Sequence, residues 1–175
     1  ITLDLAPDYQ KYMEAGVHFR FADNTPNVTG AISKLKPELG KIAEAFNKGR
    51  GAAVEYAQNG EITASVEFDI APVIPGNVLR DHSMLKLEYA NKAISVDCVL
   101  KPQNLYHDTI KFDDASQIHV RWSSKGNKVD VDGEANADIN QLAKINLKVK
   151  ANAGGGDPAG FDLDGHIDAE GLKKY

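Results

Sequence analysis

Apolar and polar residues alternate along most of this chain, and the alternation keeps its phase from one segment to the next. Side chains on a β-strand point to opposite faces with a period of two, so each alternating run predicts one apolar and one polar face. Because short polar turns separate the runs, the pattern predicts an antiparallel sheet with one apolar side that needs a cover. The clearest candidate positions for binding on that side are Leu85, Leu87, Tyr89, Ile94, Val96, Cys98, Leu100, Ile118, Val120 and Trp122.

The spacing of these runs is typical of a meander of about ten strands. After residue 50 the strands are predicted at 52–58, 61–70, 83–90, 93–100, 105–112, 117–123, 128–139, 143–151 and 160–169. Asn59-Gly60, between the first two of them, is the strongest two-residue hairpin signal, and further turns are predicted at Asn91-Lys92 and Asn140-Gln141. The pattern leaves open whether the sheet is curved like a barrel or packed as a sandwich. The proline-containing break at 72–76 is compatible with two sheets or with a bend in one.

Residues 1–50 follow a different pattern. Pro7 suits a first helical position and predicts a short helix at 8–14, whereas Val17–Phe21 alternates like a strand. Asn, Pro and Gly at 23–30 indicate an exposed loop. From Pro37 to about residue 47, apolar residues recur at three- and four-residue spacing, which predicts an amphipathic helix. We therefore expect a single β-rich domain over 1–175, with one or two short helices in its first part and a meander over 51–175.

Charge and processing signals narrow the class of protein. The net charge of −5 argues against a nucleic-acid partner, and no stretch approaches the ~20 apolar residues of a membrane helix. Asn27-Val28-Thr29 is an N-glycosylation sequon, which favours a secreted protein; the alternative is an unmodified loop asparagine. The chain begins at Ile1 with no apolar signal region, so we expect a piece cut from a longer precursor.

Candidate catalytic and metal motifs fail on their spacing. Asp162, Asp164 and Gly165 resemble the middle of a calcium loop, but Gly160 and Gly171 occupy its first and last ligand positions. The histidines do not pair at ligand spacing; they are His18, His82, His107, His119 and His166. No serine lies in a nucleophile motif. We therefore expect no metal site, no catalytic cofactor and no enzymatic activity.

Two further features bear on the apolar face. Cys98, the one cysteine, is in phase with it. It is interpreted as a small buried hydrophobe, with a covalent tether to a ligand or a disulfide to another chain as alternatives. Small side chains in the later strands leave room for a ligand or a facing helix, or else mark a thin edge of the sheet. These are Ala135, Ala137, Ala151 and Ala153.

Three segments carry a resemblance to a known family. They are residues 127–134, 144–150 and 161–167, in which Lys and Asp alternate with aliphatic residues. This pattern resembles the long amphipathic sheets of the large lipid transfer proteins, the apolipophorin and vitellogenin lineage of animals, over roughly residues 54–175. The chain would then be a fragment or an offshoot of that lineage. The resemblance implies a secreted, non-enzymatic carrier of lipid or of a pigment such as a carotenoid or a bilin.

Two functions therefore compete. The first is a carrier whose apolar sheet encloses lipophilic cargo, alone or with a second chain from the same precursor. The second is a structural or assembly module whose apolar face is completed by identical neighbours. Extractable lipid or colour would favour the first, and ligand-free oligomers would favour the second.

Overall fold

The computed structural model describes residues 2–4, 7–22, 25–57 and 59–174. The chain is mainly β, with one antiparallel sheet and two short α-helices. The strands are β1 (Thr2–Asp4), β2 (Met13–Ala22), β3 (Thr25–Leu35), β4 (Gly51–Tyr56), β5 (Ile62–Asp69), β6 (Met84–Ala90), β7 (Ala93–Leu100), β8 (Ile110–Phe112), β9 (Gln117–Ser123), β10 (Lys128–Ile139), β11 (Ala143–Ala153) and β12 (Gly160–Asp168). The predicted fold class is confirmed, and the sheet stays open.

Strand order in the sheet follows strand order in the sequence. The path runs from β1 to β7 and then from β9 to β12, while the short β8 pairs with β10 beside β9. The predicted turns at Asn91-Lys92 and Asn140-Gln141 have positive φ at both residues, as a type I′ hairpin turn requires. The 72–76 break lies in the loop between β5 and β6, which pair with each other. It therefore separates no sheets.

The helices are shorter than the sequence predicts. Helix α1 covers only Pro7–Gln10, because Met13 already begins β2. The predicted helix from Pro37 is broken at Gly40 into a 3₁₀ turn and helix α2 (Lys41–Asn47). Its buried residues are Ala43 and Ala45, whereas Ile42 is 64% exposed. The three- and four-residue spacing therefore did not belong to one continuous helix.

The prediction of an exposed loop at 23–30 is wrong for 25–30, and its residues 23 and 24 lie outside the described residues. Strand β3 begins at Thr25 and pairs with β2 on one side and β4 on the other. Pro26 lies next to the strand's first residue, where a missing N–H is tolerated. Gly30 lies between Val17 and Val54 of the flanking strands. The prediction for 105–112 was also too long, since only Ile110–Phe112 forms a strand.

A buried polar cluster lies where the β5–β6 loop meets the end of β7. Asp69, Ser83 and Ser116 have no exposed surface. The Asp69 carboxylate accepts a hydrogen bond from the backbone N–H of His82 at 2.7 Å, and Ser83 Oγ accepts one from the N–H of Lys101 at 3.0 Å. These bonds tie the long β5–β6 loop to the end of β7. Buried polar groups of this kind need such partners, so the cluster is structural.

Candidate functional site

The pairing register builds one continuous apolar face from side chains on successive strands. One row across β3 to β7 runs Gly30, Val54, Ala64, Tyr89 and Ile94, each opposite the next. Parallel rows on the same face continue to β12. A one-residue shift in any strand would bring polar side chains to this face, so the alternation itself fixes the register.

The apolar face is concave over β2 to β6, where it forms an open cavity of about 850 Å³. Its lining is almost entirely apolar; of the described residues around it, Glu88 alone is charged. Tyr9 of α1 lines it together with residues of β2 to β7, among them Leu87 and Tyr89 of β6. The volume falls within the range of roughly 300–1,000 Å³ typical of small-molecule sites.

The floor of the cavity consists of small residues in phase with bulky ones. Gly30, Ala52 and Ala64 lie on adjacent strands between larger side chains such as Val17 and Val66. A Cβ added at Gly30 would lie 3.2 Å from Val54 Cγ1, so the glycine lets neighbouring side chains close in. The sequence carries this signal at 30, 52 and 64, but the composition of 23–30 obscured the strand to which Gly30 belongs.

All the predicted binding positions lie on the apolar face, but they do not all line the cavity. Leu87, Tyr89 and Ile94 line it. The others continue the same face over β6, β7 and β9 and lie outside the cavity; they are Leu85, Val96, Cys98, Leu100, Ile118, Val120 and Trp122. The alanines from which we expected room, Ala135, Ala137, Ala151 and Ala153, lie on this face in β10 and β11, and the cavity does not reach them.

The protein leaves an unusual amount of surface uncovered. Its accessible surface is 12022 Å² at a mass of 19.0 kDa, whereas a compact monomer of that mass exposes about 8,400 Å². Among the described residues, the buried hydrophobic side chains are only Leu35, Ala43, Ala45 and Ile70. The apolar face is therefore not the inside of a closed core, and an external occupant would gain a large buried area.

Comparison with known proteins adds no relative. No family model matches the chain, and neither a curated protein nor a solved structure matches it.

Cys98 lies at the middle of the apolar face, opposite Leu85 of β6 and Val120 of β9. Its thiol is free and half-buried. Burial raises the pKa of this thiol above its ordinary value, and the neighbouring Asp97 carboxylate raises it further. A protonated thiol is a poor nucleophile, so the environment favours a packing role over spontaneous reactivity.

The opposite face is polar, and acids and bases alternate along it from strand to strand. One row runs Glu67, Lys86, Asp97, Arg121 and Asp130 across β5, β6, β7, β9 and β10. We call such lines of opposed residues charge rows. Opposite charges facing one another across strands stabilise a sheet, whereas like charges destabilise it.

Direct contacts accompany these rows. His119 Nε2 lies 2.5 Å from Asp97 Oδ1, and Arg121 donates a hydrogen bond to Asp132. A hydrogen bond to Glu88 raises the pKa of Lys86, although burial opposes the rise. The polar face is thus specified by charge, as the apolar face is by size.

Metal and membrane signals are lacking in the part of the chain that the structure describes. No group of three or more His, Cys, Asp or Glu residues there could hold a metal ion. In the same residues, no helix has the length and apolar character needed to cross a membrane. The Asp162–Asp164 segment lies on strand β12, so it does not open a helix as a calcium loop would.

The sequon at Asn27 lies on strand β3, not on the predicted loop. Its side-chain Nδ2 donates a hydrogen bond to Glu55 Oε1 at 3.0 Å. A glycan would be attached to that same nitrogen, which is already hydrogen-bonded to Glu55 of the neighbouring strand β4. Its modification stays a prediction that an intact mass would test.

Proposed function

We propose that this protein carries lipophilic cargo on the apolar face of its sheet, with the cavity over β2 to β6 as the principal seat. The observation that supports it most is the cavity of about 850 Å³ with an apolar lining on a face that the chain does not cover. Burial of apolar area contributes about 25 cal/mol per Å², so a long flat ligand gains affinity there without precise polar contacts.

The lining narrows the class of cargo. No Lys or Arg stands among the described residues that line the cavity, and the carboxylate of Glu88, the one charged residue there, lies on the polar face beside Lys86. A carboxylate placed deep in it would lose hydration without a cationic partner. The site therefore favours an acyl chain or an uncharged carotenoid over a bilin, whose propionate groups need cations. A polar headgroup would remain at the open side.

The first test is to ask what the purified protein holds. Solvent extraction followed by mass spectrometry, together with a visible absorption spectrum, should reveal lipid or pigment in near-stoichiometric amount. A protein that releases nothing, and that sediments as a stable oligomer, would instead support the assembly module, in which copies of the chain complete the apolar face.

The second test places the cargo within the face. Ala64 lies on the cavity floor opposite Val54 and Tyr89, so Ala64→Phe should fill the seat and weaken binding of retinol, a neutral fluorescent polyene, at least about 10-fold. The matched control is Ala151→Phe, an alanine on the same face opposite Val131, and it should change the affinity less than about 2-fold by the same argument. Equal effects of the two substitutions on the affinity for retinol would refute the cavity as the binding site.

A further inference from the structure

Strand β12 forms a long, open edge of the sheet. All nine of its residues, Gly160–Asp168, are exposed. It pairs with β11 on one side, and no strand of the described chain pairs with its other side. The opposite edge of the sheet ends in β1, which has only three residues. Long edges are usually blunted by proline, charged side chains or a bulge; β12 contains no proline, its register with β11 is unbroken, and its acidic side chains are three aspartates.

Three charge rows reach this edge, and each of the three ends on an aspartate, whereas the row through Asp130 continues to the uncharged Asn152 and Gly160. Asp132 faces Lys150, which faces Asp162; Glu134 faces Lys148, which faces Asp164. In the third row Asp138 faces Lys144, and Lys144 faces Asp168. Continuing the alternation would require a base at each of these positions on the next strand.

The other face of β12 sets a second requirement. Phe161 is 72% exposed, Leu163 59% and Ile167 65%. These side chains extend the apolar face to the edge of the sheet, so a strand added there must be apolar on that side. An added strand that satisfies both faces therefore alternates Lys or Arg with aliphatic residues, as β11 itself does.

We propose that the outer edge of β12 binds a basic, alternating β-strand supplied by a second polypeptide chain. Main-chain hydrogen bonds along the edge would provide affinity, and the three aspartates would select the partner by charge. A second copy of this chain does not fit through the same edge. The polar side chains of β12 are Asp162, Asp164, His166 and Asp168, so paired copies would set aspartates opposite aspartates or histidine.

The test uses the whole wild-type chain and synthetic peptides. The probe peptide copies β11, Ala-Lys-Ile-Asn-Leu-Lys-Val-Lys-Ala-Asn-Ala, which already satisfies β12 on its inner side. One control peptide replaces its lysines with glutamates, and another has the same composition with the lysines grouped together. Fluorescence anisotropy should show that the basic alternating peptide binds about 10-fold or more tightly than either control. The difference should shrink as salt is added.

Two further measurements locate the site. The peptide should protect backbone amides of β12 from hydrogen exchange, and Asp164→Asn should lower its affinity by up to about 5-fold. Asp114→Asn, on an exposed loop side chain that lies outside the charge rows, should leave the affinity unchanged. Equal binding of all three peptides, protection elsewhere than β12, or peptide-independent dimerisation through β12 would each overturn the proposal.

Discussion

The half of the sheet from β2 to β6 and the half from β9 to β12 share the same alternation but are specified differently. In the first half, side-chain size varies on the apolar face, with Gly30 and Ala64 beside bulky neighbours, and this makes a cavity. On its polar face, the row Ala31, Ala53 and Ser65 carries no charge, and the charge row through Glu67 and Lys86 begins only at β5. In the second half, no described residue of β9 to β12 lines the cavity. Its polar face carries the charge rows that reach β12.

The difference teaches that one binary pattern can encode two kinds of surface. Alternation alone fixes which side of each strand is apolar. Residue size then decides whether the apolar side is hollow or flat, and charge order decides which strands can be neighbours. The two halves can be tested separately, because residues far apart act nearly independently on stability.

The largest expected difference concerns two hairpin turns. Gly154, at φ +83°, packs against the β9–β10 turn, where an added Cβ would lie 1.9 Å from the carbonyl oxygen of Asn127. Gly60, at φ +81° in the β4–β5 turn, has nothing within 4 Å of an added Cβ. Gly154→Ala should therefore lower the free energy of unfolding by about 3 kcal/mol or more, and Gly60→Ala by about 1–2 kcal/mol. Urea unfolding measures both losses of stability. Equal losses would contradict the expected difference in steric contact between the two glycines.

A smaller difference is expected from charge. Lys148 stands between Glu134 and Asp164, with Nζ 4.0 Å from Glu134 Oε2. Lys148→Glu would set three acids in one row and should cost about 1–2 kcal/mol of unfolding free energy at low salt, less at high salt.

Ala53→Glu is the matched control in an uncharged row of the first half, since Ala31 and Ser65 flank it. We expect a change within about 0.5 kcal/mol there. If Ala53→Glu proved as costly as Lys148→Glu, the charge rows would not distinguish the halves.

The smallest expected effect concerns the alkylation rate of Cys98, on strand β7 between the two halves. Because burial raises the pKa of the thiol, iodoacetamide should alkylate it more slowly in the folded chain than in urea, and the rate should rise at a higher pH than for an unfolded thiol. Retinol bound in the cavity should change the folded-state rate less than about 2-fold, since Cys98 lies outside the lining. If bound retinol slowed the alkylation of Cys98 strongly, the bound ligand would have to reach β7, outside the cavity.

Much of the sheet could be predicted from sequence because its information is local. Strands β7, β9 and β10 occur at the predicted residues, and Asn91-Lys92 and Asn140-Gln141 form the predicted turns. Strand β3 could not be predicted, because Pro26 and Gly30 indicate a loop unless both flanking strands are already in place. Residue types indicate the local backbone preference, whereas the pairing of β3 with a strand on each side depends on the tertiary structure.

The cavity lies at a different place on the apolar face from the room that the sequence indicated. The sequence indicated a face with room in it, and it drew attention to Ala151 and Ala153. The cavity lies over Gly30, Ala52 and Ala64, where Tyr9 of helix α1 and bulky strand residues line it together with the small ones. Curvature depends on how strands pack together, which the alternation of a single strand does not encode. Gly154 and Gly155, in the turn between β11 and β12, fit against the β9–β10 turn, where the N–H of Gly155 donates a hydrogen bond to the carbonyl oxygen of Gly126.

Because nearly every strand pairs with its neighbours in sequence, the sheet is a one-dimensional array. Its folding free energy is then close to a sum over adjacent hairpins, as in repeat proteins. Such a chain can grow by duplicating a hairpin near an end, at the cost of one interface and without repacking a central core. The area available to an occupant would increase in proportion to chain length. Capacity and length would thus evolve together, one hairpin at a time.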